Sequence, residues 1–135
     1  MDTIIPNTLS HTAVTERNRA YRMAGMLTAV GVLHFAAPKP FDTIVPVELP
    51  GSARFYTYAS GVAELGTAAL LVPPSTRKLG AMAAIALFIG VLPGNINMVR
   101  LWWDKPWPMR IGAIARIPMQ IPMITQALKI KRAAP

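Results

Sequence analysis

The chain contains no cysteine. Disulfides, thiolate metal sites, cysteine-held iron–sulfur clusters and CxxC redox chemistry are excluded with it. Histidine is scarce, with two in 135 residues. No HExxH, paired histidine or carboxylate cluster offers metal-ligand spacing. A single histidine in an apolar run cannot supply both axial ligands of a membrane haem. No Gly-rich phosphate loop follows a strand, and Ser60 has no base beside it. The sequence therefore carries no catalytic constellation. Charge is also sparse, at 15% of residues against about 25% in an ordinary soluble domain.

Apolar side chains fill the space. They make up 53% of the chain, and the mean hydropathy is +0.37. A chain this small has too much surface to hide that share in one water-facing core. Four apolar stretches emerge, at 20–37, 55–72, 79–102 and 109–128. Each has about the 17–25 residues that cross a hydrocarbon core. Pro38, Pro73-Pro74 and the charged Pro-containing stretch after Trp103 separate them as helix breakers. The reading is an all-α fold: an integral membrane antiparallel four-helix bundle of two hairpins. A polar leader at 1–19, expected to be mobile over residues 1–16, and a basic tail at 129–135 flank it.

The net charge is +8, yet nucleic acid is not the expected partner. The cations form no single patch; they flank the apolar runs. Arg17, Arg19, Arg22, Arg77, Lys78, Lys129, Lys131 and Arg132 fall on one side of the four spans. They outnumber Lys39, Arg54, Arg100, Lys105 and Arg110 on the other. Asp42, Glu48 and Asp104 also fall on that second side. Both termini are thus expected in the cytoplasm of a bacterial inner membrane, with the lipid bilayer as first partner. Arg17–Arg22 followed by Met23–Phe35 could pass for a signal peptide. A cut after Ala37 would leave Pro38 first and follow an overlong leader, so an uncleaved helix is the better reading. Trp102, Trp103 and Trp107, with Phe55, Tyr56 and Tyr58, collect at the outer end as interfacial anchors. The connector Pro38–Arg54 is too apolar for a solvated loop and too broken by proline for a helix. It is expected to lie in the interface or tuck over the bundle as a lid.

Three ionisable residues sit inside apolar spans, where such groups are costly. Glu64 lies about 14 Å from the outer end, Arg116 about 10 Å and His34 about 5 Å, from a rise of about 1.5 Å per residue. All three can meet in the outer half. Thr57, Ser60, Gly61, Glu64 and Thr67 form one polar or small stripe at helical spacing. Arg116 and Gln120 share a face four residues apart, as do Leu27, Gly31 and His34. Asn95 and Asn97 point roughly opposite ways; Asn95 is placed toward the centre and Asn97 or Arg100 nearer the rim. A buried carboxylate needs a partner, and Arg116 is the expected one for Glu64, directly or through water, with His34 and Gln120 completing the hydrogen bonding. Two readings stay open: polar glue between helices, or a ligand pocket or relay using His34, Glu64, Asn95, Arg116 and Gln120. Pro93, between Gly90 and Gly94, should kink the third span and free a carbonyl near Ile89. Pro118 and Pro122 should do the same on either side of Gln120. Ala59, Ala63, Gly66, Gly80, Ala83 and Ala84 read as small residues allowing close helix approach.

The runs Gly31-x-x-His34-Phe35, Pro38-x-Pro40-Phe41-Asp42-x-Ile44-Val45-Pro46, Leu49-Pro50 and Tyr58-x-Ser60-Gly61-x-Ala63-Glu64 resemble the DoxX-like membrane proteins. Pro93-x-Asn95-Ile96-x-Met98 and Arg116-x-Pro118-x-Gln120-x-Pro122 are similar to the same group, so the resemblance spans about residues 20–130. It implies a four-helix bacterial inner-membrane protein associated with redox partners, and a quinone as the candidate ligand. No cofactor is evident from the residues themselves. The thiol-handling branch of that group relies on cysteines, which this chain lacks. The first expectation is a non-catalytic accessory or scaffold subunit of a membrane redox or envelope complex, holding a quinone or lipid in an outer-half polar pocket. The alternative is a small-molecule binder or transporter with a Glu64/Arg116/His34 polar path. A homo-oligomer is a further partner open to it. A self-contained oxidoreductase ranks last, for want of a redox centre.

Overall fold

The structure is a computed structural model, described here over residues 5–135. Six helical segments follow one another: α1 (Ile5–Ala36), α2 (Pro38–Asp42), α3 (Ala53–Leu71), α4 (Arg77–Gly90), α5 (Leu92–Leu101) and α6 (Trp107–Ala133). No strand occurs among the described residues. The polar leader is not separate from the first apolar stretch. From Ile5 onward it belongs to α1, whose 32 residues span about 48 Å at about 1.5 Å each. The expectation for residues 1–4 lies outside the described residues.

Each helix ends where its sequence removes a donor or turns the chain. Pro38 bars continuation of α1, because an X-Pro pair disfavours helical geometry at the preceding residue. The same proline opens α2, where its missing N–H costs nothing. The connector is therefore not wholly non-helical as expected; its Pro-rich start holds one short helix. Gly51 takes the left-handed region at φ 89°, and Ser52 then caps α3 by accepting from the Phe55 N–H at 3.2 Å. The third apolar stretch breaks at Val91 into α4 and α5, two residues before Pro93. Pro118 and Pro122 lie inside α6 without ending it.

The helices associate as two neighbouring pairs, α1 with α3 and α4 with α6, joined through α3 and α4 and closed by α6 against α1. Gly31 faces Glu64 and Leu65, while Gly61 faces His34 and Phe35. Advance along α1 thus meets retreat along α3, and that pair is antiparallel. Buried positions follow helical spacing. On α1 they include Ala20, Met23, Ala24, Leu27 and His34; on α3, Thr57, Glu64, Thr67, Ala68 and Leu71. On α6, Ala113, Gln120 and Ala127 recur at seven-residue steps. The dry core joins Ala20, Leu27, Leu71, Ala84, Phe88, Ala127 and Ile130 with their neighbours. Its small side chains let backbones approach closely. Ala59, Ala63 and Gly66, expected at that interface, are instead exposed. They occupy the opposite face of α3 from Gly61, Glu64 and Ala68. The close approaches fall at Gly31, Gly61 and Gly80.

Among the described residues one helical stretch, Arg77–Leu101, which runs through the break at Val91, is long and apolar enough to cross a membrane, and only 28% of its most apolar window is buried. The other long helices are diluted by their polar stripes. Large apolar side chains nevertheless face outward on all of them, among them Val32, Leu33, Val62, Ile89, Ile111, Ile114 and Ile121.

Candidate functional site

The dry core occupies the half of the bundle nearest Arg77 and the end of α6. The other half is hollow. A cavity of about 600 Å³ opens there, walled by every helical segment and roofed by the connector through Phe41, Ile44, Val45, Pro46 and Leu49. Its lining is mostly apolar with a few convergent polar groups, the usual make-up of a small-molecule site.

The connector is tied down at three points. Asp42 accepts from Arg54 Nε at 2.9 Å and from the Thr57 hydroxyl at 2.6 Å. Those two donors hold its carboxyl below the ordinary carboxylate value. Asn97 donates from Nδ2 to the Ile44 carbonyl at 2.9 Å. Arg100 donates to Glu48 at 3.2 Å. The lid expected from the sequence is a strap held by α3 and α5.

Below the strap lies the polar cluster. His34 Nδ1 sits 2.8 Å from its own helix's Val30 carbonyl. A carbonyl only accepts, so that contact places a ring proton on Nδ1. Phe41 stacks on the imidazole with ring centroids 3.8 Å apart. Glu64 Oε2 approaches the same Nδ1 to 3.0 Å but lies off the N–H direction and receives no hydrogen bond. Glu64 is 7% exposed, so this oxygen is a buried acceptor with unspent capacity. Asn95 is buried, faces the cavity and makes no side-chain hydrogen bond.

All five expected residues line this one cavity: His34, Glu64, Asn95, Arg116 and Gln120. They do not pair as expected. Arg116 is exposed and forms no ion pair with Glu64, although it lines the cavity from α6. The neighbour of Glu64 is His34. The reason is helix proximity: α3 packs most closely on α1, where Gly31 and Gly61 remove the side chains that would hold Glu64 and His34 apart. Gln120 donates to the Phe88 carbonyl at 3.1 Å. It thus satisfies a carbonyl beside the α4–α5 break, one residue earlier than the Ile89 position expected from Pro93. Asn97, one of the two rim candidates, is buried; its Nδ2 holds the strap while its Oδ1 has no partner. The sequence reading gave Asp42, Phe41 and Thr57 no site role, although Phe41 and Asp42 stand in the resemblance motif and Thr57 in the polar stripe. Nothing local marks Thr57, fifteen positions on, as the partner of Asp42.

A second hollow of about 520 Å³ runs between α1 and α6 toward the basic end, lined by Asn18, Arg19, Arg22 and Gln126 among others. Met26 and Met123 line both hollows. Among the described residues no three His, Asp or Glu side chains gather to hold a metal ion.

These features define a class: an all-helical protein enclosing an apolar cavity with a polar end, roofed by a strap. Residues 23–131 match the family model described as "Domain of unknown function (DUF8561)", and the chain belongs to that family. No curated protein and no solved structure matches it.

Proposed function

We propose that the protein is a membrane-embedded, non-catalytic subunit that holds a small apolar molecule with an oxygen-bearing head in the strapped cavity. The observation that carries this is the buried Glu64 Oε2, which receives no hydrogen bond beyond its 3.0 Å approach to His34 Nδ1, in the same cavity as the Asn95 side chain, which makes none. Donors and acceptors without partners are costly away from water unless a ligand meets them. A quinone or a lipid has the matching chemistry, an apolar body and hydrogen-bonding oxygens.

The membrane part of the reading rests on the Arg77–Leu101 stretch, mostly unburied, and on the outward apolar side chains of the remaining helices. A core helix of a soluble protein would be covered. The cation distribution supports a bacterial inner-membrane setting with four crossings and both termini cytoplasmic. The sequence likeness to DoxX-like proteins favours an accessory role beside a redox or envelope partner.

Mass spectrometry of molecules extracted from protein purified in mild detergent tests the reading. An apolar oxygen-bearing compound should co-purify near one per chain. Glu64→Gln and Asn95→Leu should each lower its recovery about tenfold, as loss of a buried hydrogen-bonding partner does. Unchanged recovery in both folded variants would overturn it. A stoichiometric protein in the same preparation supports the accessory role; a lone chain counts against it. One observation favours transport as a second reading: the two hollows share Met26 and Met123, so a polar path through Glu64, His34 and Arg116 would need only those side chains to move. Uptake into vesicles, lost in Glu64→Gln, would distinguish it.

A further inference from the structure

The second hollow is unlike the first in how its lining is ordered. Thr15, Asn18, Arg19 and Arg22 line one stretch of it along α1; Met23 and Met26 follow. On α6 the order is reversed, as an antiparallel neighbour requires: Pro122 and Met123 stand opposite the apolar stretch and Gln126 opposite the polar one. Arg19 donates from Nη1 to Gln126 at 2.6 Å across the groove. The groove is therefore polar and cationic at one end and apolar at the other, over about 16 Å of helix at about 1.5 Å per residue.

The charge at the polar end is only partly spoken for. Arg19 Nε lies 3.4 Å from Glu16 but is buried without a hydrogen bond. Glu16 offsets part of that charge. Arg22 is exposed and makes no ion pair or hydrogen bond. The surrounding end of the bundle carries Arg17 and Arg77, both placed over the Tyr21 ring.

We propose that this groove binds one anionic phospholipid of the cytoplasmic leaflet, with its phosphate on Arg22 and Arg19 and an acyl chain over Met23, Met26 and Met123. Guanidinium groups suit phosphate because their planar donors reach two oxygens at once. Unbranched thioether side chains suit an acyl chain, whose shape varies along its length. A phosphate held by arginines alone would not need the apolar floor. An apolar chain alone would not need the cations. The inference needs the protein to be in a membrane, but not the ligand proposed for the strapped cavity.

The test uses the full chain in detergent, titrated with phosphatidylglycerol, phosphatidylcholine or inorganic phosphate, with binding read by native mass spectrometry and by thermal unfolding. Saturable binding of about one phosphatidylglycerol per chain is expected, with phosphatidylcholine at least tenfold weaker. Arg22→Gln should weaken phosphatidylglycerol binding about tenfold. Arg132→Gln, at the basic end but outside the groove lining, should leave it within about twofold. Arg22 holds no partner, so its loss does not threaten folding. Equal losses in the two variants would reduce the effect to diffuse attraction and overturn the site. Inorganic phosphate competing at the affinity of the lipid would overturn the lipid assignment. A protein that does not partition into vesicles at all would remove both this proposal and the membrane reading. Partitioning without an Arg22 effect would remove this one alone.

Discussion

Helix glycines at and away from the close approaches differ in what a methyl group would meet. A Cβ at Gly80 would lie 2.8 Å from the Leu71 nitrogen and 2.9 Å from the Leu70 carbonyl carbon. Backbone cannot step aside. A Cβ at Gly61 would lie 2.6 Å from the edge of the Phe35 ring, but Phe35 is 41% exposed and can swing outward. Gly66 has open space around it. Gly80→Ala should therefore cost about 1–3 kcal/mol, in the range of overpacking, and Gly61→Ala less. Gly66→Ala should stabilise by about 0.5–1 kcal/mol, the helix-propensity gain of alanine over glycine. Thermal or denaturant unfolding in one detergent, followed by helical circular dichroism, ranks the three. The order Gly66, Gly61, Gly80 is the expected outcome. These roles are invisible in sequence, where Gly66 and Gly80 both read as helix-packing residues. Only the rotation of α3 shows that Gly66 faces away.

The strap is the element whose behaviour depends most on conditions. Its tie at Asp42 is made by an ionised carboxyl accepting from Arg54 and Thr57. Because the folded value is depressed below 3.8, the tie contributes fully above the ordinary carboxylate range. It is lost as pH falls through the lowered folded value. The protection of the connector amides against deuterium exchange, taken relative to the intrinsic rate at each pH, should thus be flat at neutral pH and fall only below about pH 4, the carboxylate range. Asp42→Asn should show fast exchange in the connector at every pH, without that acid step. The element was half legible beforehand. An apolar, proline-broken stretch between two spans pointed to a lid, since solvated loops are polar. Its fastening was not legible, because Asp42–Thr57 and Ile44–Asn97 join positions whose meeting depends on how three helices rotate. The same limit explains the Glu64 partner. Depth along each helix could be counted from the sequence, and it set His34, Glu64 and Arg116 at one level, where all three line the cavity. Azimuth could not, and it was azimuth that gave His34 rather than Arg116 to Glu64.

At the scale of the molecule the charges are sorted by end. Arg17, Arg19 and Arg77 cluster with the close of α3 and α6. Arg54, Arg100 and Arg110 hold acids, aromatics or carbonyls at the strap end. Composition and spacing foretold this sorting, along with the all-helical class, because both follow from where apolar runs start and stop. A kink at Pro93 was foretold, and the helix breaks two residues earlier, at Val91; the inclusion of the leader in α1 was not foretold, since local propensity does not set that boundary sharply. A chain without cysteine makes the orientation simple to measure. Single substitutions Lys78→Cys, Arg132→Cys and Lys105→Cys can each be labelled with an impermeant maleimide. Lys78→Cys and Arg132→Cys should react only in inside-out vesicles, and Lys105→Cys only in intact spheroplasts. Labelling of all three from one side would refute the crossing pattern.

Met26 and Met123 stand between the two hollows. Their stems are linear and swivel readily, so the divider behaves as a swinging door and not as masonry. A long hydrocarbon tail entering from the arginine end could push past the two sulfur atoms and reach toward the carboxylate chamber. Whatever fills that chamber would then shorten the room left for the tail, and the two occupants would sense one another with equal strength in both directions.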